Sequence, residues 1–216
     1  LNKETIDYGS KINFRANVYN QLFDTENKKI NGNFQSNTYF RSFPILGLDL
    51  STPFRFKSDK NNLIYTPKIS FVVSPGLSNS EKISNEDSSV NSYTIDNNNS
   101  LNRFTGTDKL DNSKRLNLSF NINNDSLSAA FLQSYEFTDN SNFHYSQGNE
   151  KKLSDFLGIL SVTKNSLKTN YDFRYDSNES YLKSQKLTLG YNSYLGNFNF
   201  NYLDQNSKVD EIIVSD

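Results

Sequence analysis

Cysteine, methionine and tryptophan are absent from this 216-residue chain, and histidine occurs once. Without cysteine there is no disulfide framework, and redox compartment cannot be read from the sequence. A zinc or catalytic role for His144, in FHYSQGNE, would need partners that neither cysteine nor a second histidine supplies. It reads as a solvated loop residue. No stretch approaches the ~20 consecutive apolar residues of a membrane helix. That excludes helical spans only, because a barrel strand crosses with ~9–11 alternating residues. Hydrophobic residues make up 34%, below the ~45–50% of ordinary soluble domains. The net charge of -1 leaves no basic footprint, so nothing supports a nucleic-acid partner. The chain opens on Leu1 and carries no methionine, which suggests a segment of a longer protein.

What is present is asparagine, 33 residues of it, together with 17 Phe and 13 Tyr. Low hydropathy alone would suggest disorder, but so many aromatics argue against it. Both facts fit if apolar residues are dispersed one at a time, as on a β-strand whose side chains alternate between faces. RLNLSFNINNDSLSAAF, residues 115–131, alternates strictly on both sides of a short polar turn. In the first third, Ile12, Phe14, Ala16 and Val18 oppose Asn13, Arg15 and Asn17, and Leu46, Leu48 and Leu50 alternate with Gly47, Asp49 and Ser51. Ten strands are predicted, over 9–23, 31–41, 45–56, 62–74, 113–122, 126–137, 155–164, 167–176, 182–193 and 197–204. Pro67 predicts a bulge or break in the fourth. The best helix candidate is LSDFLGILSV, 153–162, which reads equally well as a strand.

Residues 75–112 form a polar insert longer than ordinary loops. From there on, long or medium connections alternate with short ones at 123–125, 165–166 and 195–197, so short turns collect on one edge. Outer-membrane barrels have this asymmetry. The expected fold is therefore all-β: an antiparallel up-and-down β-meander of about ten strands, an open segment of a large outer-membrane β-barrel, with residues 1–216 forming one partial barrel domain. Its apolar rows would face lipid and its Asn and Ser rows a watery lumen, with no conventional core. A half-exposed soluble sheet or sandwich also alternates, though sandwich strands are usually shorter, ~5–6 residues.

Chemistry-bearing motifs are few. DNNNS, 96–100, fails as a calcium loop because Leu101 and Thr107 stand where Gly and Glu are needed. The sequon Asn117-Leu118-Ser119 is expected by chance in an Asn-rich chain. No nucleophile, acid–base pair or phosphate-cradling loop is visible. The chain does not read as an enzyme, and no cofactor is implied.

Within the insert, SNEDSSV (84–90) and NSLNRFTGTDKLDNSKRLNLSF (99–120) resemble the LPS-assembly protein family, LptD. The matching elements are Asn85, Glu86, Asp87 and Ser88, then Asn102, Arg103, Phe104, Thr105, Gly106, Asp108 and Lys109. Thr105 replaces the usual Ser and Lys109 the usual Arg; lysine cannot reproduce a bidentate arginine contact. FRSFPILGLDLSTPFRF, LIYTPKISFVVSP and LSAAFLQSYEF are similar to the family's flanking strands. The resemblance implies delivery of lipopolysaccharide to the outer leaflet of a Gram-negative outer membrane. It also implies a plug lipoprotein of the LptE type and periplasmic bridge proteins that act through an N-terminal domain absent from this chain. A porin or receptor barrel and a soluble β-rich adhesive domain are the alternatives. Arg15, Arg115, Lys168 and Arg174 are candidate lumen-facing charges, more simply read as solvating the interior. For the insert, the expectation is a structural latch: Arg103 paired with Asp108, Phe104 as anchor and Gly106 supplying a turn.

Overall fold

Period-two alternation builds one antiparallel sheet in the computed structural model, which describes residues 1–7, 9–57, 62–75, 79–80, 82–89, 93–138, 152–194 and 196–206. Its strands are β1 (Asn2–Asp7), β2 (Ser10–Ile30), β3 (Asn33–Ser51), β4 (Phe54–Lys57), β5 (Asn62–Val73), β6 (Lys114–Asn123), β7 (Leu127–Glu136), β8 (Phe156–Lys164), β9 (Leu167–Asp176), β10 (Tyr181–Ser193) and β11 (Gly196–Gln205). One short helix, α1 (Ile95–Asn99), lies in the insert. Strands pair in chain order from β1 to β11, with β4 on the flank of β5, and the sheet is open. The 153–162 segment, the best helix candidate, is strand β8 from Phe156 onward. Its leucines fit either period, and pairing with β7 and β9 decides for the strand. His144 lies outside the described residues.

Two expectations in the first third change. The predicted strands 31–41 and 45–56 are not separate, since β3 runs unbroken across residues 42–44. The turn instead falls at Asn31–Gly32, where φ values of 51° and 86° make the two-residue hairpin that Asn-Gly favours. The break lies further on. Leu46–Ser51 pair with Lys68–Val73, and Phe54–Lys57 pair with Asn62–Tyr65 in the same register. Residues 52 and 53 therefore stand opposite 67 and 66. Pro53 and Pro67 both lack an amide donor, so the ladder retains only the bond from Thr52 N–H to the Pro67 carbonyl, 3.2 Å. Pro67 does interrupt pairing, but on the β3–β4 side alone: toward β6 its register with Phe120 is continuous.

One face of the sheet carries exposed apolar rows. Leu48, Phe71 and Leu118 are 45%, 46% and 51% exposed, and no second layer covers them among the described residues. On this face an aromatic row crosses from β4 to β9. Phe120 and Phe131 stack at 4.7 Å between centroids, with Tyr65 on one side and Phe156 and Phe173 on the other. Phe173 lies over Gly158, where a Cβ would come within 2.2 Å of the ring, so glycine there is a requirement of space.

The opposite face is polar, and here the expectation of an open watery surface is corrected. Arg115, Asn117 and Ser119 of β6 are buried. The insert covers them and contributes Leu101 and Leu110 to a small core with Phe43, Ile45 and Val72. Gly47 lets Leu101 sit against β3: a Cβ there would meet its Cδ2 at 2.6 Å.

Candidate functional site: an insert latched to the polar face

The insert is closed at its base, where Ser74 N–H donates to the Ser113 carbonyl (2.9 Å) and Ser113 N–H to Ser74 Oγ (2.7 Å). Within it the two motif elements are tied together by carboxylates. Asp87 accepts the amides of Thr107 (3.0 Å) and Asp108 (2.8 Å) and the Ser88 hydroxyl (2.7 Å). Asp108 in turn accepts the amides of Glu86 (2.7 Å) and Asp87 (2.9 Å). Thr107 and Asp108 amides, reinforced by Ser88, hold the Asp87 carboxyl well below the usual carboxylate range. Asn85 closes a turn onto Ser88, and the Ser88 Oγ accepts Lys109 N–H at 2.9 Å. Asn102 Oδ1 accepts the amides of Phe104 and Asp111, which shapes the second element. The Lys109 side chain itself is exposed.

Gly106 supplies room rather than a special backbone angle. A Cβ on it would fall 2.3 Å from Asp87 Oδ1 and 2.4 Å from the Asp87 carbonyl. Phe104 is buried.

The expected Arg103–Asp108 ion pair is replaced by a deeper one. Arg103 is 3% exposed and bonds Asp111 through Nε (2.5 Å) and Nη2 (3.1 Å), and Glu136 through Nη2 (3.2 Å). Arg115, 1% exposed, bonds Asp111 at 3.0 Å. Two buried cations thus meet two buried carboxylates. Burial by itself would lower the Arg103 pKa, but Asp111 and Glu136 outweigh it and leave the value above that of an ordinary arginine. Asp108 is unavailable for this role because its carboxylate is turned to the 86–87 amides.

The arginines of the polar face hold the insert by its carbonyls. Arg15 donates to Asn99 O (2.8 Å) and to Asp49 (2.8 Å). Arg41 donates to the carbonyls of Thr107 and Asp108, and Arg115 to that of Ser100. Arg174 bonds Asp155 (2.5 Å), with Lys183 on the same carboxylate, and faces the Tyr93 ring at 5.8 Å. Burial pushes the Tyr93 phenol up to about 12. Lys168, by contrast, is exposed near the short-turn end of β9. Of the four candidate lumen charges, three are therefore engaged in holding the insert or its neighbours. Sequence reasoning missed Arg41, Asp111, Glu136 and α1. A signal existed for α1, since Thr94 is an N-cap whose hydroxyl accepts Asn97 N–H, whereas Arg41 shares its β3 row with Phe43 and Ile45 and no polar row marked it.

These features define a class: up-and-down antiparallel sheets with one apolar face, one polar face and a long insert folded onto the polar side. Residues 5–216 match the family model described as LPS transport system D, LptD. The chain belongs to the LptD family of outer-membrane lipopolysaccharide transport and assembly proteins. No curated protein matches it.

Proposed function

We propose that this sheet is part of the wall of an outer-membrane barrel. In this reading its apolar face lies against hydrocarbon, and its polar face guides lipopolysaccharide sugars toward the outer leaflet. The observation that carries it is the two-faced sheet: exposed Leu, Ile and Phe rows on one side, and on the other Arg, Asp, Asn and Ser beside the small core under the insert. An amphiphile with several acyl chains and a charged sugar head needs both surfaces. The insert closes the polar side over β3, β5, β6 and β7, so the polar rows of β9–β11, with Lys168, Asn170, Thr188 and Asn201, are the surface left for sugars. Family membership favours this reading over a porin, a receptor or a soluble adhesive domain. A plug lipoprotein of the LptE type and periplasmic bridge proteins complete the assembly in this reading.

Photoreactive residues at Asn170, Thr188 and Asn201 test it. They should trap lipopolysaccharide while transport runs and lose that yield when supply stops, whereas Asn117 beneath the insert should trap none. Trapping only at outward positions such as Leu118, unchanged when supply stops, would overturn it.

A further inference from the structure

Under α1 the wall carries one continuous polar rung. Asn13, Asp49, Ser70, Asn117 and Ser134 pair successively across β2, β3, β5, β6 and β7, so all five project from the same face at the same level. The helix lies over this rung. At one end the Asn99 carbonyl accepts Arg15 from β2. At the other, Asn98 donates through Nδ2 to Ser134 Oγ and its carbonyl accepts Asn117 Nδ2 at 2.9 Å.

Six buried polar atoms lack a hydrogen-bond partner among the described residues: two on this rung, two on α1, and one each on Arg15 and Arg115, two residues along β2 and β6 on the same face. They are Asn13 Oδ1, Ser70 Oγ, Asn98 Oδ1, Asn99 Oδ1, Arg15 Nε and Arg115 Nε. Ser70, Asn98 and Arg115 are each 1% exposed, so bulk solvent does not reach them directly. A folded chain leaves few such groups unsatisfied, and six shared between α1 and the face beneath it point to a bound ligand. Their chemistry narrows its identity. A metal cation would suit the three amide oxygens and be repelled by two guanidinium groups. An anion would suit the guanidinium N–H groups and be repelled by the oxygens. Water both donates and accepts, and can link an amide oxygen to a guanidinium N–H.

We propose that a row of ordered water molecules is bound between α1 and this rung, running from Arg15 to Asn98. The row has a route to solvent. An open groove of about 420 Å³ between β2 and the insert is lined by Arg15, Asn17, Tyr19, Ser100, Phe104 and Thr107. In this proposal the α1 end of the insert rests on the wall through direct hydrogen bonds and the solvent between them, while the Leu101–Leu110 end rests on it through apolar contact. This does not depend on which lipid the protein carries.

The test is a structure of the intact protein, in lipid nanodiscs, at a resolution that places ordered solvent. Waters within hydrogen-bonding distance of Ser70 Oγ and Asn98 Oδ1, bridging toward Arg15 or Arg115, are expected. Ser70→Ala should keep the row, and the larger Ser70→Val should displace the molecule nearest β5. A dry seam in which the six groups pair directly with one another would overturn the proposal. So would a metal or halide ion at the site.

Discussion

Asp87 and Asp108 exchange carboxylates: each accepts backbone amide protons from the segment that carries the other. The Asn-Glu-Asp-Ser and Asn-Arg-Phe-Thr-Gly elements are thereby one folded unit, although 13 residues separate Ser88 from Asn102. This clasp has a defined pH response. The folded Asp87 carboxyl titrates below its unfolded value, so its contribution is complete above the ordinary aspartate pKa of ~4 and lost as pH falls through the depressed one. Proteolytic sensitivity of the insert should be flat from about pH 8 to about pH 5 and rise only in stronger acid. Asp87→Asn should raise sensitivity already at neutral pH.

Of the three tight glycines, Gly106 and Gly47 predict unequal effects. Gly106→Ala places a methyl against the Asp87 backbone carbonyl, which cannot swing away, and should open the clasp. Gly47→Ala meets the flexible end of Leu101, and should cost less. Adding Leu101→Ala to Gly47→Ala should relieve the overlap though not the lost packing. Thermal melting with insert proteolysis distinguishes these cases.

The buried quartet of Arg103, Arg115, Asp111 and Glu136 should tolerate loss of any member poorly, because an unpaired buried charge costs about 3–5 kcal/mol. Asp111→Asn should exceed Glu136→Gln, since Asp111 serves both arginines. Arg103→Lys should fail to rescue, because one ammonium cannot span both oxygens of Asp111 and reach Glu136. Unfolding in denaturant gives the order directly.

On the apolar face, Phe173→Ala should destabilise more than Tyr175→Ala. Phe173 covers Gly158 and meets Phe131, Phe156 and Tyr171. Each such ring pair contributes about 0.5–1.5 kcal/mol beyond area burial. Equal losses from the two substitutions would contradict a specific role for the row.

Alternation was the legible part of this molecule. Leu116, Leu118 and Phe120 could be placed on one face, opposite Arg115, Asn117 and Ser119, because a strand leaves no other arrangement. The family motifs located the insert. What alternation cannot encode is which loop covers a polar row. Arg103 meets Asp111 and Glu136 while the Asp108 carboxylate is engaged by the 86–87 amides, a partition set by contacts distant in sequence. The Asn31–Gly32 turn was readable from residue type alone, but its flanks, TENKKI and NFQSN, carry so few apolar residues that no alternation marks the strands on either side.

The central claim is that the two faces meet different solvents, and thiol accessibility in native membranes tests it most directly. These 216 residues hold no cysteine, so each single substitution adds one reporter among them, read against the unsubstituted protein. In isolated outer membranes, a water-soluble maleimide should label cysteines at Lys168 and Asn201. It should leave those at Leu48, Phe71 and Leu118 unmodified until detergent is added. Equal labelling of the outward positions in intact membranes would contradict the account.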